Sequence, residues 1–88
     1  MIYTYHKNHA KASASRDTWL PRCDGAVIAS DLDDAAIGAV NIPHEGPEEW
    51  KNIWQKTRAN LRYMAEHYLE EFDFFLFGGD DMYVIVEN

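Results

Sequence analysis

The chain has one cysteine, Cys23, so no disulfide can form within it. Basic residues are scarce: eight Lys and Arg stand against fifteen Asp and Glu, for a formal net charge of −7. Nowhere do more than two cations stand side by side, which argues against a nucleic-acid or anionic-membrane surface. No apolar run approaches the roughly 20 residues that cross a bilayer, and the start lacks the apolar stretch of a signal peptide. Internal repeats, low-complexity tracts and interdomain linkers are also missing. What is present is a globular composition, 47% hydrophobic and 14% aromatic over 88 residues. That composition argues against disorder, and the length allows one small domain.

Strand character begins at Ile2-Tyr3-Thr4-Tyr5 and yields to a loop at His6-Lys7-Asn8-His9. Ala10 to Trp19 reads as a short helix closed by Leu20-Pro21. Ala26-Val27-Ile28-Ala29 is the expected second strand, running into the acidic loop Ser30-Asp31-Leu32-Asp33-Asp34. A weaker third strand spans Ala36 to Ile42 and ends at Pro43. Gly46-Pro47-Glu48-Glu49 has the form of a helix start, with proline at the first helical position and acids near the positive end of the dipole. Trp50, Ile53, Trp54, Thr57, Leu61, Met64, Ala65 and Tyr68 then recur at helical spacing. They predict an amphipathic helix of about six turns with that stripe facing inward. Alternating strands and helices predict an α/β layer architecture with a parallel sheet.

The closing segment carries the most chemistry. Asp73-Phe74-Phe75-Leu76-Phe77 is an aromatic run, expected to be a buried strand. It breaks at Gly78-Gly79, presents Asp80-Asp81 and resumes as Met82-Tyr83-Val84-Ile85-Val86. Hard divalent cations take oxygen ligands, so two carboxylates on a turn after a strand can hold such an ion against a phosphate. Glycines before them let a ligand approach the backbone closely. The same acids can instead cap backbone N–H groups in an ordinary turn, and both uses stand open on spacing alone. Asp31, Asp33 and Asp34 read as a solvated loop. His6, His9, His44 and His67 show no helical zinc-binding pair. Cys23 lacks a visible base, and Trp19, Trp50 and Trp54 read as core. Lys56 and Arg58 read as salt-bridge partners on the first half of the long helix.

Three stretches together resemble one family: Thr18-Trp19 with Arg22-Cys23, the helix from Ile53 to Tyr68, and the segment from Asp73 to Asn88. They are similar to the fringe-like β1,3-glycosyltransferases, and most of all to the core 1 galactosyltransferase group, which transfers galactose to O-linked N-acetylgalactosamine. The resemblance implies a GT-A fold, a UDP-sugar donor, Mn²⁺ held by a DxD motif, inverting transfer to a glycoprotein O-glycan, and a membrane-anchored Golgi protein. Position by position it implies that Asp81 is the direct metal ligand and Asp80 the middle residue of the motif. It likewise implies that Lys56 approaches the nucleotide, that Thr4 closes the first strand beside the uridine, and that Asp31 is the acid after the second strand. The departing UDP gains negative charge that a cation stabilises, while a general base assists the acceptor hydroxyl.

Two positions depart from the family pattern. Gly79 replaces the first aspartate of the motif, and Glu49-Trp50 stands where a Gly-Arg pair precedes the helix tryptophan. Residues 1–88 are thus expected to be the donor-binding half of a GT-A domain, cut at both ends, with the general base, acceptor groove and a further metal-binding histidine beyond Asn88. The membrane anchor and the partner of Cys23 are expected before Met1, and the chain alone is expected not to catalyse transfer. Two other readings are weighed. One is a non-catalytic relative that binds a nucleotide sugar or partner. The other is a GGDEF-type cyclase, in which "GGDDMYVIV" would be a β-hairpin and "DLDD" at 31–34 would carry the upstream metal-binding aspartates; Ala35-Ala36 and Phe77 disagree with that pattern.

Overall fold

Parallel strands covered on both faces carry apolar residues without alternation, and the middle of this sheet follows that rule. In the computed structural model, which describes residues 1–88, strands β1 (Ile2–Tyr3), β2 (Ile28–Ser30), β3 (Ala39–Asn41) and β4 (Gly78–Gly79) form one sheet. The strand order is β3-β2-β1-β4 and every pairing is parallel. Ile2 pairs with Ile28 on one side and Gly78 on the other, and all of β2 is buried. The α/β class and the parallel sheet agree with the pattern in the sequence, although each strand is shorter than its apolar run.

Helix α1 (His9–Thr18) returns the chain from β1 to β2 and buries Ala12 and Ser15. A single 3-10 turn at Leu20–Arg22, carrying Pro21, follows it. Trp19 lies between the two, 1% exposed, in a core cluster with Ile2, Ala12, Leu20, Ile28, Ile37 and Ala39. Its indole N–H donates to the carbonyl of Met82 at 3.2 Å, so the same side chain fills the core and ties down the C-terminal segment. Indole rings are buried at low cost when the N–H finds such an acceptor.

Helix α2 (Ile53–Tyr68) corrects the expected helix in start, length and roll. Its 16 residues make about four and a half turns rather than six. Gly46-Pro47-Glu48-Glu49 does not begin it: Glu49 is extended, and only a 3-10 turn at Trp50–Asn52 leads in. The physical reason is local. The Asn52 side-chain amide donates to the carbonyls of Glu45 (2.6 Å) and Pro47 (3.0 Å), holding the approach in a turn. The buried line of α2 is Lys56, Asn60 and Met64, at i, i+4 and i+8. Trp50 is 81% and Trp54 66% exposed, and Leu61 also faces outward. Two residues are about 200° apart around a helix, so burying Lys56 turns Trp54 to the far side. Asn60 is 1% exposed and its Nδ2 has no hydrogen-bond partner.

The aromatic run before the glycines is not a buried strand. Only Gly78 and Gly79 pair, with Ile2 and Tyr3, and β1 is too short to offer more partners. Phe74 is 94% exposed, with Phe75 and Leu76 exposed as well. Met82 to Val86 keeps the alternation of a strand: Val84 and Val86 pack on the core while Tyr83 and Ile85 face outward. No strand pairs with it, so the hairpin of the GGDEF reading does not form. An apolar cavity of about 600 Å³, lined by Trp19, Met64, Tyr68, Phe72, Val84 and Val86, opens beside Met1, Val27 and Leu76. These last three residues precede β1, β2 and β4, which puts the cavity at the amino edge of the sheet.

Two substitutions should move stability in opposite directions in a denaturant melt. Trp19→Ala removes the largest buried side chain and should cost about 3–5 kcal/mol. Asn60→Leu removes a buried donor that bonds to nothing and should gain about 1 kcal/mol. A loss on Asn60→Leu as large as that on Trp19→Ala would contradict the packing described.

Candidate functional site

In an open parallel sheet, ligands settle beyond the carboxyl ends of the strands, where the strand order reverses. Here the chain builds β1, β2 and β3 outward in one direction and then places β4 on the other side of β1. The reversal lies between β1 and β4. Thr4 follows β1 and Asp80 follows β4, so the parallel register brings both side chains to that point.

Thr4 is the hub. Its N–H donates to Ala29 O at 2.8 Å, anchoring it on β2. Its hydroxyl donates to Asp80 Oδ2 at 2.6 Å, and its carbonyl accepts from the Lys56 ammonium. Lys56, whose side chain is 7% exposed, also pairs with the Glu48 carboxylate. Glu48 in turn is bonded by His44 Nε2 at 2.5 Å. His44, Glu48, Lys56, Thr4 and Asp80 thus form one polar chain across the crevice. A buried ammonium persists only when paired and hydrogen-bonded, and this one is both.

Asp31, after β2, accepts the backbone N–H of His6 and bonds its Nδ1, each at 2.7 Å. Partial burial pushes the Asp31 carboxyl up. Hydrogen bonds from the His6 ring and backbone, its own backbone N–H and the Ser30 hydroxyl outweigh that and hold it below the usual carboxylate range. Asp81 is exposed at the rim, while Asp80 is half-buried. Of the residues named from sequence, Thr4 is therefore bonded to both Lys56 and Asp80. Asp31 sits at the neighbouring strand tip, and Asp81 stands beside Asp80 without a bond to the others.

No three His, Cys, Asp or Glu side chains converge as a preformed metal site. A divalent cation at Asp80 and Asp81 would find carboxylate oxygens of the right kind. It would need most of its roughly six-fold shell from a ligand and water. At Gly79 a Cβ would come 3.1 Å from Asp81 Oδ1 and 3.4 Å from the Tyr3 hydroxyl. Asp81 is exposed, so it can yield the few tenths of an ångström a side chain there would require.

Sequence reasoning missed Glu48 and the histidines. Glu48 was expected as a dipole-stabilising residue in a first helical turn, but it lies before the helix and pairs with Lys56. His44 and Glu48 are four apart, a spacing that could have flagged them had the segment been helical. Near the tip of β2, His9 Nε2 lies 2.8 Å from Ser30 Oγ and His9 Nδ1 3.0 Å from Asp34 Oδ2. This has the order of a nucleophilic relay. Ser30, however, is 2% exposed, and its Oγ also accepts the N–H of Leu32 at 3.3 Å. No substrate carbonyl can reach it, and the trio joins α1 to the loop after β2. Asp33 and Asp34 likewise hold their own loop, accepting from the backbone of Asn41 at 2.7 Å and Ala36 at 3.0 Å.

Asp31 sets an acid limit. Its carboxyl is held below the usual aspartate range, so its contribution to stability is full above that range and is lost as pH falls through the lowered pKa. Urea melts between about pH 2 and 6 should show the wild type losing its advantage over Asp31→Asn as pH falls below about 4. An advantage that stays constant over that range would contradict the bonding to His6.

No family model matches the chain, and no solved structure does. Among curated proteins, the chain is 31% identical over 78 residues to glycoprotein-N-acetylgalactosamine 3-beta-galactosyltransferase 1 of Xenopus laevis. The alignment takes in 89% of this chain and 21% of the relative, so the chain spans about a fifth of that protein's length. Over nearly all of its residues, the chain is distantly similar to a glycosyltransferase.

Proposed function

We propose that the chain forms the donor-binding side of a metal-dependent, inverting glycosyltransferase of the GT-A type that uses a UDP-sugar. The observation that carries the reading is the meeting of Thr4, Lys56 and Asp80 at the strand-order reversal of a parallel sheet. The relative's name supplies the substrate class: galactose as the donor sugar and a glycoprotein N-acetylgalactosamine as the acceptor. Golgi residence, with a membrane anchor in a longer chain, belongs to the same proposal.

In this reading each residue has a distinct task. Lys56 places its ammonium toward the diphosphate from the first turns of α2. Thr4 and Asp31, at the tips of β1 and β2, border the uridine. Asp81, exposed and free of other bonds, is the primary cation ligand, with Asp80 beside it held by the Thr4 hydroxyl. A bound Mn²⁺ would neutralise the diphosphate and stabilise the charge of the departing UDP. The carboxyl edge otherwise carries Glu48, paired with Lys56, and the acids Asp31, Asp80 and Asp81 at the strand ends, so an anion needs the divalent cation to enter.

A second reading, a binding-only relative, is favoured by Gly79 at the position of the first motif aspartate. The backbone does not demand glycine there, because Gly79 is not among the glycines with positive φ.

Calorimetry with UDP in the presence and absence of Mn²⁺ tests the proposal. UDP should bind only with the metal, and Asp81→Asn should weaken that binding roughly tenfold or more, about 1.4 kcal/mol. UDP binding that ignores both the metal and Asp81 would contradict it. Gly79→Asp should strengthen metal-dependent binding if the binding-only reading holds, and should leave it unchanged if Asp80 and Asp81 already suffice.

A further inference from the structure

The segment between β3 and α2, residues 42–49, forms neither helix nor strand. It turns at Gly46, whose φ of 77° suits glycine, and the Asn52 amide clamps it at Glu45 O and Pro47 O. Its inner end is fixed where the Ile42 N–H donates to Ser30 O at 3.1 Å. None of these anchors uses Glu48. From this segment Glu48 reaches the Lys56 ammonium on the solvent side: the Glu48 side chain is 24% exposed against 7% for Lys56. The other partner of that ammonium, the Thr4 carbonyl, belongs to the end of β1 and cannot leave without disturbing the sheet.

We propose that Glu48 is a resident carboxylate in an anion site built on Lys56, and that a diphosphate binds by displacing it. The inference rests on the donor-side reading of Lys56. A carboxylate and a phosphate oxygen ask the same thing of an ammonium, so the two compete for one place. Glu48 can leave without being stranded, because His44 lies on the same segment and stays bonded to it. The pair moves together: the contact to Lys56 is exchanged, and the His44 ring, buried beside Glu48, is brought toward solvent. Binding is then weakened by the fraction of molecules in which Glu48 is in place.

The test is calorimetry on the full chain and on Glu48→Gln, with two probes, inorganic pyrophosphate and UDP, each with Mn²⁺. Glutamine keeps an acceptor for Lys56 but removes the competing charge. If Glu48 occupies the site in about nine molecules of ten, Glu48→Gln should tighten pyrophosphate binding about tenfold. Unchanged or weaker pyrophosphate binding would overturn the inference, as would a failure of both proteins to bind either probe. Tightened pyrophosphate binding without any UDP binding would uphold the Glu48 site and sink the donor reading. Metal-dependent UDP binding that Glu48→Gln leaves unaltered would do the reverse. Far-UV circular dichroism checks the helices; if Glu48→Gln loses them, Glu48→Asp, one methylene shorter, should still tighten pyrophosphate binding severalfold, and no gain there counts against the site.

Discussion

A lysine ammonium held out of water between a backbone carbonyl and a carboxylate organises this molecule. An unpaired charge in the interior costs several kcal/mol, so Lys56 is buried where the Thr4 carbonyl and an acceptor on the solvent side, here Glu48, are in reach. That requirement fixes the roll of α2. It puts Asn60 and Met64 on the inner line and turns Trp50 and Trp54 outward. The segment before α2, anchored by Asn52 and by the Ile42–Ser30 bond, brings Glu48 to Lys56 from outside the helix.

The two edges of the sheet differ accordingly. The carboxyl edge is polar and acid-rich, with Lys56 bridging Glu48 and the Thr4–Asp80 pair. The amino edge is apolar and opens into a cavity lined by Trp19, Met64 and Phe72. That cavity is lined almost wholly by apolar residues, and no lysine or arginine that would recognise a phosphate is among them. Under the proposed function, the acidic composition, a poor match for anionic partners in general, has a use at the carboxyl edge. Carboxylates that repel a diphosphate on their own can share a cation with it.

Much of this was legible in the sequence, and the failures have physical causes. Two acids on a turn after an apolar run mark Asp80 and Asp81 from the residues alone, whereas Thr4, Lys56 and Asp31 enter only through the family resemblance; the parallel sheet then gathers the strand ends bearing Thr4, Asp31 and Asp80 on one edge. The roll of α2 was misread because hydropathy counts Trp50 and Trp54 as core and lysine as surface. It has no means of crediting Lys56 for a backbone carbonyl 52 residues away. The strand expected at Asp73 to Phe77 failed for want of a partner, because β1 offers only Ile2 and Tyr3. The pairs His6–Asp31 and His9–Asp34 share a separation of 25 residues. That spacing arises from the β1–α1–β2 crossover and is invisible to any local window.

The central claim is that the crevice between β1 and β4, organised by Lys56, is where a nucleotide diphosphate and its cation meet the chain. Paramagnetic broadening of amide signals by Mn²⁺ in the presence of UDP tests this most directly, because it reports position rather than affinity alone. Broadening centred on Thr4, Lys56, Gly79, Asp80 and Asp81, sparing Phe72 and Val84 at the amino edge, is the predicted result. Broadening centred on the apolar cavity, or spread evenly over the surface carboxylates, would contradict the account.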